Sequence, residues 1–287
     1  MKIRKFALYL CLFVASFFFF DRELLAAPRI KLKAKSAILI NDSNGTILYA
    51  KNPDRPMQPA SLTKILSLYL VHEAITQGKI YPTDRVRISM NAQITGGSSM
   101  YLVDETEVVL DDLIKGMAVV SANDASIAVA EHLGGSINSF VRMMNAKAKA
   151  LGMKRSHFVN PNGLPARGQV TTARDILKLS RAYIRDFPEA LQIHSMQEYT
   201  FANITQRNSN TLLKQCDDVD GLKTGFVRAA GFHLVATAKR GNTRLIAVVM
   251  GEKNPKIRAR DTTKLLEQGF RMVAGKGRAS VSIRSRS

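Results

Sequence analysis

The sequence predicts an α/β domain with a mostly antiparallel sheet built from N- and C-terminal strands, packed by helices and carrying an inserted helical subdomain. Three observations support this. Residues 36–49 hold two apolar runs around Asn44-Gly45, a pair suited to the positive φ angles of a tight hairpin turn. Residues 221–227, 231–239 and 243–251 read as strands, the last two joined by Gly241-Asn242. Between them, from about 84 to 195, apolar residues recur at helical spacing between capping residues. At 287 residues the chain is long enough to bury a substantial core.

The elements follow in order. Lys2, Arg4 and Lys5 precede a largely apolar block at 6–20, then polar Asp21-Arg22-Glu23 and small Ala26-Ala27, the pattern of a secretory signal peptide over 1–27. An uncleaved signal anchor is the alternative, although the block is short beside the roughly 17–25 residues of a spanning helix. After the first hairpin, 49–59 is a Pro-punctuated loop. Residues 61–77 form a helix closed by Gly78, apolar on nearly every face and therefore buried on all sides. Further helices are expected at 110–119 and 124–132, from the Ser136 cap to about 151, and from the Thr172/Asp175 capping box to about 186. A last helix is expected over about 255–273. The domain division is thus a signal peptide at 1–27, one catalytic domain at 28–275 with its helical subdomain at about 84–195, and a basic solvated tail at 276–287.

Formal charge is +19, and it stays strongly positive when 1–27, with four basic and two acidic side chains, are set aside. Such a surface suits a polyanionic neighbour. No nucleic-acid-binding signature is present, so an anionic envelope polymer is the better partner for an exported chain, in the periplasm or extracytoplasmic envelope. Cys11 falls in the signal segment, which leaves Cys216 alone and no intrachain disulfide; it reads as an inert, buried small side chain. Asp217, Asp218 and Asp220 resemble a metal cluster but lack spaced partners and read as a turn. No histidine spacing suits a metal, and no cofactor is implied.

Three short motifs carry the chemistry: Ser61-Leu-Thr-Lys64, Ser121-Ala-Asn123 and Lys223-Thr-Gly225. Each is weak alone; in this order, with 60 positions from Ser61 to Ser121 and 102 from Ser121 to Lys223, they form a specific set. Ser61 and Lys64 share a helix face, and Ser61 lies in the first turn, where free N–H groups favour negative charge. Lys64 serves as base to the serine if burial or a neighbouring cation such as Lys223 lowers its pKa. Ser121 suits proton relay to a leaving amine, and Asn123 suits holding Lys64 or the substrate. Lys223 and Thr224, on an exposed strand edge, suit a substrate carboxylate, while Gly225 admits a ligand backbone. The N–H groups of Ser61 and Phe226 suit an oxyanion.

With these motifs go Gly96-Gly97-Ser98-Ser99-Met100, Phe140-Val-Arg-Met-Met-Asn145, Leu151-Gly-Met153, Asn160-Pro-Asn-Gly-Leu164 and Asp220-Gly-Leu preceding Lys223. Over about 32–275 the sequence resembles the D-alanyl-D-alanine carboxypeptidases, the low-molecular-mass penicillin-binding proteins. The resemblance implies a β-lactamase/penicillin-binding-protein-like fold and a serine-type hydrolase that trims the terminal D-alanine of peptidoglycan stem peptides. It implies Ser61 as the acylated nucleophile, Lys64 as its base, Ser121 and Asn123 as the relay pair and Lys223 as carboxylate anchor, with β-lactam antibiotics as covalent inhibitors. Val227 stands where the family usually has Thr, and Ala122 replaces a usual Gly. The chain ends before the second domain and C-terminal membrane anchor of many members, so no such anchor is expected.

Two other readings compete. A class A-like β-lactamase needs a carboxylate to drive deacylation, yet 153–170 contains no Asp or Glu. A non-catalytic wall-binding protein would be expected to lose the nucleophile or the lysine, and both are kept.

Overall fold

The computed structural model describes residues 30–283, with side chains through Gly275. Contacts divide the chain into two units, Met1–Lys31 and Leu32–Ser287, and the fold is that of the second. The segment read as a signal peptide lies outside the described residues, as do residues 284–287 at the end of the expected tail.

In chain order, strands β1 (Ser36–Asn41) and β2 (Thr46–Lys51) lead into helix α1 (Thr63–Thr76), strand β3 (Arg85–Arg87) and strand β4 (Glu107–Val109). Helices α2 (Leu110–Lys115), α3 (Asn123–Gly134), α4 (Ile137–Ala150) and α5 (Ala173–Asp186) follow. The chain closes with strands β5 (Glu198–Phe201), β6 (Ile204–Arg207), β7 (Val219–Val227), β8 (Gly231–Arg240) and β9 (Thr243–Glu252), then helix α6 (Pro255–Ile283).

Five strands form one sheet in the order β2-β1-β9-β8-β7, and every neighbouring pair is antiparallel. The β1–β9 ladder, with Ile38 opposite Val248, joins the two ends of the chain. Both sheet faces are covered, which is why β1 is buried at all six positions. Ile38, Ile40, Ile246 and Val248 face the same apolar core as α1. On the other side Gly269 of α6 lies so close to Leu39 and Leu245 that a side chain there would collide with them. Three layers result: α6, the sheet, and the remaining helices.

α1 is the centre of that core. Thr63 through Val71 are all buried, matching a helix apolar all round. Burying each of Ile65, Leu66 and Leu68 contributes about 1.5–3 kcal/mol, so truncating one to Ala would cost about 2–5 kcal/mol. α4 and α5 begin at the caps expected: Ser136 Oγ accepts from Ser139 N at 3.2 Å and Thr172 Oγ1 from Asp175 N at 3.1 Å. Asp175 does not complete a reciprocal capping box; its carboxylate accepts from Arg155 N at 2.8 Å and Ser156 Oγ at 3.0 Å, tying down the preceding turn.

Several details depart from the sequence reading. The first hairpin closes with a four-residue loop rather than a two-residue turn. Gly45 N donates to Asn41 O at 2.9 Å and Asn41 Oδ1 accepts from Ser43 N at 3.1 Å, bonds that stabilise the longer loop. The Gly241-Asn242 turn does join Arg240 to Thr243 directly. The helical region also contains the β3–β4 hairpin, and β5–β6 precedes β7; strands of three or four residues leave too little alternation to read. α6 stays helical to Ile283, past the end near 273. Asp218 and Asp220 pair with Arg240 at 2.6 Å and Arg244 at 2.7 Å, so these carboxylates serve the sheet. Cys216 is a free, half-buried thiol rather than a fully buried one.

Candidate active site

Ser61 sits in a 3₁₀ turn, Ala60–Leu62, that leads into α1. The residue before it, Ala60, has φ of +51°, a left-handed conformation unfavourable for a residue with a Cβ. Two glycines hold that turn from either side. A Cβ on Gly163 would lie 1.9 Å from Ala60 O, and one on Gly225 would lie 3.3 Å from Ser61 N. The Gly163 loop is itself braced, with Asn160 Oδ1 accepting from Gly163 N at 2.8 Å and Gln169 Nε2 at 2.9 Å.

Lys64, one turn further on, is completely buried. Its ammonium donates to Ser61 Oγ at 3.2 Å, Asn123 Oδ1 at 2.6 Å and Asn162 O at 2.8 Å. Burial holds its pKa well below that of a free lysine, Lys223 pushes it lower still, and Asp124 only partly offsets them. Both causes anticipated from sequence are therefore present. A neutral amine in contact with a serine hydroxyl can accept its proton.

The second motif reaches the same place from the helical layer. α2 runs on as a π turn, Gly116–Val120, ending at Ser121, whose φ is +67°. Asn123 opens α3 and uses its amide at both ends: Oδ1 holds Lys64, while Nδ2 donates to Gly96 O at 2.7 Å. Asp124, fully buried, accepts from Ser99 Oγ at 2.6 Å and from the backbone N–H of Met100 and Leu102, which shapes the 96–102 loop.

The third motif lies on β7, the outer strand of the sheet, which packs against the Ala60–Leu62 turn. Here the structure corrects the sequence reading: Lys223 and Thr224 are not exposed but 2 % and 7 % accessible. Lys223 and Gly225 share a face of β7, and that face packs against the Ala60–Leu62 turn. Burial, then the charge of Arg258, lowers the Lys223 pKa to about 7. Its one side-chain bond is a long 3.4 Å donation to Thr224 O. Beneath β7, buried His194 meets Leu222 O at 2.9 Å; burial and Lys223 lower its pKa to about 3, which keeps it neutral.

Ser61, Ser121, Asn123, Thr224, Gly225 and Phe226 line one cleft of about 560 Å³, with Lys64 and Lys223 buried behind its walls. Two residues there escaped the sequence reading. Asn162, whose carbonyl holds Lys64, lies in the Asn160-Pro-Asn-Gly-Leu164 run, where the sequence reading gave it no role of its own. Arg258, 4 % exposed, lines the cleft from the start of α6, where it is one cation among many; burial lowers its pKa to about 10. A larger hollow of about 660 Å³ lies between the β1–β2 hairpin and α5, but it contains none of the motif residues. Its cations are already paired, Arg181 with Asp42 at 2.7 Å and Lys178 with Asp175 at 3.0 Å.

An antiparallel sheet flanked by helices, with a serine–lysine cleft at its edge, defines the penicillin-binding-protein class of DD-peptidase folds. Within that class, the chain belongs to the peptidase S11 family, D-alanyl-D-alanine carboxypeptidase, which matches residues 23–254. It is 42 % identical over 260 residues to D-alanyl-D-alanine carboxypeptidase DacC of Escherichia coli, covering 88 % of this chain and 64 % of that one. It is 40 % identical over 242 residues to DacF of Bacillus subtilis, covering 83 % and 62 %. Penicillin-binding protein 5 of Haemophilus influenzae superimposes with a TM-score of 0.82 at 42 % identity, over 84 % of this chain and 71 % of that one. Penicillin-binding protein D2 of Listeria monocytogenes, in its ampicillin-bound form, gives 0.77 at 33 % identity over 85 % and 99 %. The chain thus spans less than two thirds of the length of these two curated relatives.

Proposed function

We propose that the chain is a serine-type D-alanyl-D-alanine carboxypeptidase that releases the terminal D-alanine of peptidoglycan stem peptides. Ser61 Oγ attacks the carbonyl of the penultimate D-alanine as Lys64 takes its proton. The N–H groups of Ser61 and Phe226 hold the oxyanion. Ser121 passes a proton to the leaving amine, and Asn123 keeps Lys64 aimed. Lys223, Thr224 and Arg258 hold the terminal carboxylate, and Gly225 lets the peptide lie close to β7. Water, activated by Lys64, then cleaves the ester and frees Ser61.

One observation carries this reading: a fully buried lysine of lowered pKa bonded to both Ser61 Oγ and Asn123 Oδ1. Among the described residues, no Asp or Glu lines the cleft, so the carboxylate a class A lactamase uses for deacylation has no counterpart in its walls. β-Lactams, bound by the Listeria relative in its ampicillin and cefotaxime forms, are then acylating inhibitors here. We place the catalytic domain at 28–275, exported by 1–27 to the cell envelope, where its positive charge suits anionic wall polymers. The test is incubation with a diacylated L-Lys-D-Ala-D-Ala peptide: D-alanine appears with the protein and not with Ser61→Ala. Equal release by both would refute the assignment.

A further inference from the structure

The reaction above leaves a buried imidazole near Lys223 without a part. His194 ends a short helix, Ala190–His194, and is 1 % exposed. Its Nδ1 lies 2.9 Å from Leu222 O and its Nε2 3.2 Å from the Tyr183 hydroxyl. A carbonyl only accepts, so Nδ1 carries the hydrogen, and in the neutral ring Nε2 accepts from Tyr183. Tyr183, on α5, is itself buried and meets Tyr69 and His72 of α1 as well as His194, with ring centroids 6.4, 5.7 and 5.6 Å away. Side-chain contacts thus run from the helix that carries Lys64 to the carbonyl that precedes Lys223.

That carbonyl matters because the Lys223 ammonium has little else to fix it. Its one side-chain bond, at 3.4 Å, goes to the carbonyl of the next residue, so the direction of the amine is inherited from the strand that carries it. β7 is the outer strand and has a neighbour on one side only. Just before the motif, side chains supply a second hold: Asn210 Nδ2 donates to Gly221 O at 3.2 Å, and His194 Nδ1 to Leu222 O. The fit is close, since a Cβ on Gly221 would lie 3.4 Å from His194 Cβ. The hold also adds no charge. Burial, then the nearby Lys223, lowers the His194 pKa to about 3, so β7 is fixed without a second cation beside Lys223.

We propose that His194, held by Tyr183, is a positioning residue that sets the Lys223 ammonium for the substrate carboxylate. The inference rests on the carboxypeptidase reading. Its test compares kcat/KM for release of the C-terminal residue from diacetyl-L-Lys-D-Ala-D-Ala and from its C-terminal amide. The wild-type chain should prefer the free acid by about 10². His194→Phe keeps the ring and loses the donor; the preference should fall to about tenfold, through KM on the acid, with kcat within about threefold. Tyr183→Phe, a milder change that leaves Nε2 without its donor, should give an intermediate ratio of about thirtyfold. His194→Asn, whose amide can donate to Leu222 O, should return the ratio to near the wild-type value. A general loss of packing would lower both peptides together and leave the ratio alone. An unchanged ratio in His194→Phe, or in Tyr183→Phe should His194→Phe fail to fold, therefore overturns the positioning role. So does a wild-type chain that uses acid and amide alike. A wild-type chain that releases nothing from either peptide overturns the carboxypeptidase reading and this inference with it.

Discussion

The two walls of the cleft differ in how fully their polar groups are used. On the serine–lysine wall, Lys64 donates to acceptors at 3.2, 2.6 and 2.8 Å, and Asn123 is bonded at both ends of its amide. On the β7 wall, Lys223 makes one 3.4 Å bond, and Arg258 bonds Ser209 O at 2.8 Å while its buried Nε has no partner. Buried cations with unused donors are costly unless an acceptor arrives. The first wall has its polar groups already paired, and in the proposed reaction it moves a proton, while the second would gain its missing acceptor from an anionic ligand.

The largest effects come from breaking the first wall. Ser61→Ala and Lys64→Ala should each lower D-alanine release by about 10³–10⁶, with circular dichroism unchanged. Activity within tenfold of wild type in either variant would remove that residue from the reaction. A smaller loss tests the second wall. Lys223→Ala, or amidation of the peptide's terminal carboxylate, should each cost about 10² in kcat/KM, and the two losses should not add. Full additivity would assign Lys223 to another task, such as tuning Lys64.

Stability against pH sharpens the contrast with the smallest effect. Lys223 has a folded pKa of about 7 against 10.5 for a free lysine. Between those values the unfolded chain binds more protons than the native one, so stability rises with pH across this window and falls as pH drops toward 7. Lys64, its pKa also lowered, contributes with the same sign. Lys223→Met should flatten the rise and add on the order of 1 kcal/mol at pH 7, because it removes a buried cation with little hydrogen bonding. Urea unfolding at pH 7 and pH 9 measures both; an unchanged slope would mean that Lys223 is not the titrating group.

What the sequence made legible follows from range. α1 and β9 were readable because burial on every side leaves an unbroken apolar run. The Thr172 and Ser136 caps were readable because a cap bonds three residues ahead. Ser61, Lys64, Ser121, Asn123 and Lys223 stood out through short motifs at long spacing. Asn162 was missed because it acts through its carbonyl, which every residue has. Arg258 was missed because its meeting with β7 depends on how α6 leaves β9, a tertiary fact without local signature. The burial of Lys223 was missed for the same reason: the turn at Ala60, with its positive φ, packs on a face of β7 more than 160 positions away.

The most direct test of the central claim, a paired serine–lysine wall in a cleft that no carboxylate lines among the described residues, is intact-protein mass spectrometry with benzylpenicillin. Penicillin places a reactive amide and a carboxylate where D-Ala-D-Ala would lie, and its ring product obstructs the water that must release it. The account predicts a one-to-one covalent adduct that outlives the acyl-peptide intermediate and is lost in Ser61→Ala. Failure to form an adduct at any penicillin concentration, or a rapid return to the unmodified mass while hydrolysed penicillin accumulates, would contradict it.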